Sequence, residues 1–68
     1  MIGGAMSTEY GKVIDALDKD QSIEVATGTG GIRIFSTVNK IWLTPEGTEE
    51  LVDLLRTAYF AYTGESLK

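Results

Sequence analysis

Ile41-Trp42-Leu43-Thr44-Pro45-Glu46 joins a strand pattern directly to a helix start. Thr44 supplies a capping hydroxyl, and Pro45 stands at the first helical position, where its missing N–H costs nothing. Glu46 places acid at the positive end of the helix dipole. A helix is predicted from there, with Leu51, Leu54, Leu55, Ala58 and Tyr62 along one face, flanked by Val52 and Tyr59, until Thr63-Gly64 stops it. Phe60 falls away from this stripe, on the side of Glu49, Asp53 and Arg56.

Upstream, an extended Trp42 points to the face that Ile41 and Leu43 avoid. Asn39-Lys40 fits a two-residue hairpin turn, which pairs Val38 with Ile41 and Ser36 with Leu43. Residues 32–38 then form the preceding strand, and Thr27-Gly28-Thr29-Gly30-Gly31 supplies a turn tolerant of positive φ. Before it, Ile23, Val25 and Thr27 alternate with Glu24 and Ala26. An even loop puts Ile23, Val25, Ile32, Ile34, Val38, Ile41 and Leu43 on one inner face. The opposite face carries Glu24, Ala26, Arg33, Phe35, Thr37 and Trp42, with Trp42 across from Thr37 and diagonal to Phe35.

Toward the N-terminus, Ser7 or Thr8 can cap a helix in which Tyr10, Val13, Ile14 and Leu17 follow the i, i+3, i+4, i+7 spacing. Gly11 weakens that helix and Asp18 and Asp20 oppose its dipole, so it leans on packing. The expected fold is therefore two-layer α+β, a three-stranded antiparallel meander with an N-terminal and a C-terminal helix, in the order α-β-β-β-α. Residues 1–6 read as a disordered leader, 7–64 as a single domain and 65–68 as a C-terminal tail.

With 68 residues and one core, net stability is small, and chains of this size usually add disulfides, a metal or a second subunit. There is no Cys and no His, which removes disulfides, thiolate chemistry and the commonest zinc ligands, so association is the staple that remains. A cysteine-free chain is compatible with a reducing cytosol, and a cytoplasmic location is expected. The opening residues carry neither a basic n-region nor an apolar run long enough for a signal peptide or a membrane span. A net charge of −4, with only Arg33 and Lys40 between two acidic segments, argues against binding nucleic acid.

Catalytic and cofactor motifs fail one by one. Gly28-Thr29-Gly30-Gly31 is followed by a strand, whereas a phosphate-cradling loop leads into a helix N-terminus. The run from Asp18 lacks the Gly at the sixth and the Glu at the twelfth position of a calcium loop. Without His, no base is placed for a Ser or Thr nucleophile. Glu49 and Asp53 share a helix face that forms no cleft. No enzyme activity, no cofactor and no metal site is expected.

Leu43-Thr44-Pro45-Glu46, followed by Glu50-Leu51 and Leu54-Leu55, resembles the ending of small, acidic, uncharacterised accessory proteins of bacteriophages and other mobile elements. That resemblance implies a protein that works by binding, commonly as an inhibitor or modulator of a host protein. The residues themselves lead to a compatible expectation. A second apolar sheet face is either the other half of a core, under a helix, or the centre of an isologous dimer or partner site. The second reading is preferred and gives a homodimeric protein-protein interaction module whose binding residues are Arg33, Phe35, Thr37 and Trp42, with Phe60 as a further contact. Two alternatives stand beside it: a small-ligand binder holding a nucleotide or aromatic metabolite at a dimer crevice, and a structural subunit of a larger assembly. No membrane partner is expected.

Overall fold

The computed structural model describes residues 8–67, so the leader over residues 1–6 and the cap at Ser7 lie outside the described residues. Three strands, β1 (Thr8–Ile14), β2 (Ser22–Gly28) and β3 (Gly31–Ser36), precede one helix, α1 (Pro45–Thr63). The strands form an antiparallel sheet in the order β1-β2-β3, and α1 lies on one face of it, chiefly over β1 and β2. The architecture is β-β-β-α, not the expected α-β-β-β-α.

The first correction concerns the N-terminal helix, which is a strand. Val13 pairs with Ile23 and Gly11 with Val25, and a bulge between Glu9 and Gly11 takes up Tyr10. A helix there would be short, with a Gly and two adjacent β-branched residues, and isolated helices below about 12–15 residues are marginal. As a strand the segment pairs the edge of β2 that β3 leaves open. The supposed apolar stripe divides accordingly, with Val13 buried and Ile14 and Leu17 exposed. Gly11 carries φ +154°, and a Cβ on it would stand 3.0 Å from Leu54 Cδ2, so this glycine lets the helix approach the sheet closely.

The second correction concerns residues 41–43, which form no strand beside β3, so Asn39-Lys40 turns no hairpin. At the end of β3, Thr37 N donates to Ser22 O at 3.1 Å and Ser22 N donates to Thr37 Oγ1 at 3.0 Å. The chain then crosses the end of the sheet to β1, where Ala16 N donates to Trp42 O at 2.7 Å. This crossing is what delivers α1 to its place, because the helix begins over Val13 of β1. A third hairpin strand beside β3 would have started the helix on the wrong side of the sheet.

Other elements follow local sequence. Gly28 pairs with Gly31, leaving Thr29-Gly30 as a two-residue turn, so Ile23 and Val25 do share a face with Ile32 and Ile34. Thr44 Oγ1 accepts from Gly47 N at 2.9 Å at the start of α1, and Gly64, at φ 79°, returns its N–H to Phe60 O at 2.7 Å. Gly47 sits against the sheet, where a Cβ would meet Val13 Cγ1 at 3.2 Å. Leu51, Leu54, Leu55 and Ala58 turn inward as expected, whereas Tyr62 is exposed. Nineteen helical residues span about 28 Å, more than strands of six or seven residues cover, so the last turns overhang the sheet.

Candidate functional site

Cross-strand register assigns the two faces of the sheet. Gly11, Val13, Ile23, Val25, Thr27, Ile32 and Ile34 lie on the helix side, and Glu9, Lys12, Ile14, Glu24, Ala26, Arg33 and Phe35 on the other. No described element covers that second face. Its rows run Lys12–Glu24–Phe35 and Glu9–Ala26–Arg33 across the three strands. Within this lattice the Glu24 carboxyl is held above its ordinary range, first by a hydrogen bond shared with Glu9, then by partial desolvation and the Glu9 charge. Lys12 and Arg33 act in the opposite direction.

Arg33 and Phe35 therefore stand two residues apart on the open face of β3, and Phe35 remains 54 % exposed. Trp42 is also exposed, at 62 %, but not beside Phe35. Its backbone is bonded to residues 15 and 16 at the β1 side, while Phe35 belongs to the opposite edge strand. The expected diagonal contact depended on a hairpin that does not form. Thr37 does structural work, donating from Oγ1 to Gln21 Oε1 at 2.6 Å while accepting from Ser22 N. Phe60 is exposed on the outer side of α1, in a shallow depression that it lines with Arg56, Thr57, Ser66 and Leu67. The structure thus brings Arg33 and Phe35 together and leaves Trp42 and Phe60 as separate exposed aromatics.

Two features escaped the sequence reading. Asp15 is only 9 % exposed, and its carboxylate accepts from Trp42 N at 2.7 Å and Leu17 N at 3.4 Å. Its sequence neighbours gave no sign of this, since the partner lies 27 positions away. The second is the exposure of Ile32 and Ile34, which α1 leaves uncovered although they share its face. Alternation in the strand marked them as apolar-face residues, but only the placement of the helix decides which strands it covers.

Among the described residues no group of three or more His, Cys, Asp or Glu could hold a metal ion, and no helix is long and apolar enough to cross a membrane. By architecture this is a small, two-layer α+β protein. Comparison with protein-family models, with curated proteins and with solved structures finds no match for the chain.

Proposed function

We propose that this protein is a non-catalytic binding module that works as a homodimer and inhibits or modulates a partner protein, in the manner of small accessory proteins of bacteriophages and mobile elements. One observation carries the reading: the imbalance between what the fold buries and what it leaves outside. Among the described residues the buried apolar side chains are Val13, Val25, Ala26 and Ala58, and Val25 is the largest that is fully enclosed. Ile14, Ile32, Ile34, Phe35, Val38 and Trp42 all remain exposed. A core of this size supplies little stability by itself, and further burial on association would supply more.

Phe35 and Trp42 of this set, together with Arg33 two residues from Phe35 on the open face, have the chemistry of interface anchors. The test is sedimentation across a wide protein concentration range, read with Trp42 fluorescence. A dimer that dissociates on dilution is the expected result. A monomer at every concentration overturns the homodimer. Emission that responds to nucleotides at constant protein concentration replaces the protein-binding reading with a ligand-binding one.

A further inference from the structure

We infer that the dimer forms by antiparallel pairing of β3 with β3 of a second copy, on a two-fold axis at Ile34, giving a continuous six-stranded sheet with both helices on one face. This deepens the homodimer reading and rests on it.

The two edges of the sheet are not equivalent. β1 carries devices that protect an edge, Lys12 and a bulge between Glu9 and Gly11, and just past its end the Trp42 segment is bonded to Ala16 N. β3 has no bulge, no Pro and no Lys. Its inward and outward backbone groups follow from alternation. Thr37 N bonds Ser22 O, so the hydrogen-bonded pairs with β2 are those of Phe35, Arg33 and Gly31. The N–H and C=O groups of Ile32, Ile34 and Ser36 therefore point outward, and no described backbone or side-chain group bonds them. The side chains flanking this edge, Ile32 and Ile34 on one face and Phe35 on the other, are exposed.

Charge and overlap select the register. An axis at Arg33 would set two guanidinium groups directly opposite each other, which is repulsive. An axis at Phe35 would leave half of each strand, residues 31–33, unpaired. With the axis at Ile34, residues 32–36 of each strand pair, and Arg33 of one copy faces Phe35 of the other, a cation over an aromatic face. The open-face row then reads Lys12, Glu24, Phe35 in one copy and Arg33, Ala26, Glu9 in the next, with no like charges directly opposed and the two Arg33 side chains set diagonally rather than face to face. On the helix side Gly11, Val25 and Ile34 meet Ile34, Val25 and Gly11, an apolar row running between the two helices.

Two measurements test this. Ile34→Pro removes an outward N–H without breaking a bond to β2, whereas Ile34→Ala keeps that N–H. Sedimentation should show Ile34→Pro dissociating at roughly tenfold or more higher concentration than Ile34→Ala, with helical circular dichroism retained. Because the chain has no cysteine, Arg33→Cys and Phe35→Cys proteins can be mixed and oxidised mildly. Facing Cα atoms about 4.5 Å apart at this non-hydrogen-bonded pair suit a disulfide. The expected product joins position 33 of one copy to position 35 of the other, in excess over either self-linked product. Predominant self-linking of Arg33→Cys overturns the Ile34 axis. A dimer that persists in Ile34→Pro with no preferential cross-link overturns the β3 interface while leaving the homodimer intact, and a native monomer overturns both.

Discussion

The Trp42 backbone N–H donates to the Asp15 carboxylate at 2.7 Å, while Ala16 N donates to Trp42 O at the same distance. These two bonds fasten the β3–α1 connection to the end of β1. They replace the ladder that a third hairpin strand would have provided, and they set the point at which α1 starts. Removing the carboxylate leaves a partly buried N–H without its acceptor. Asp15→Ala should cost about 1–3 kcal/mol by urea denaturation, and Asp15→Asn, which keeps one acceptor oxygen, distinctly less.

Gly11 lets helix and sheet approach closely on the β1 side. A methyl group there meets Leu54 Cδ2 at 3.0 Å and must also tolerate φ +154°. Gly11→Ala should therefore destabilise the fold by about 1–3 kcal/mol, and Leu54→Ala added to it should recover part of the steric component.

The helix caps act locally and their contributions should be separable from the sheet. Thr44→Ala removes the acceptor for Gly47 N and should cost about 1 kcal/mol in thermal or chemical unfolding. Thr44→Ser should retain most of it.

Glu24, beside Glu9, makes stability depend on pH in a definite direction. Glu24 has a folded-state pKa above its ordinary 4.5, so the folded state holds this proton more tightly than the unfolded one. Its contribution is complete below about pH 4.5 and is lost as pH rises through the folded pKa. Glu9→Gln removes the leading cause of the shift and offers Glu24 an N–H donor. The variant should match the native protein in acid and exceed its stability at neutral pH, with the Glu24 titration in NMR moving back toward the ordinary value.

Phe35 is predicted to contribute to association rather than to monomer folding, since more than half of it is exposed. Phe35→Ala should weaken dimerisation by roughly tenfold in dilution experiments while leaving the circular dichroism spectrum unchanged. Phe60→Ala, on the far side of α1, should leave the dimer constant unaltered.

Helix α1 and the β2–β3 hairpin were legible along the chain because their signals are local. Thr44-Pro45 and Gly64 cap the helix by contacts within a few residues, and Thr29-Gly30 closes a turn between strands whose alternation is plain. β1 was not legible because its inward position Gly11 does not register as apolar, and a bulge at Tyr10 shifts the period. What remained was a misleading helical spacing of Tyr10, Val13, Ile14 and Leu17. The path of residues 37–44 was likewise settled at a distance, by the Asp15 carboxylate and by the need to carry α1 across to Val13. Composition and pattern determined that this chain has too small a core and an aromatic to spare outside it. Only packing decided that Phe35 and Trp42 stand at opposite sides of the sheet, because helix placement and strand order depend on contacts that no local window contains.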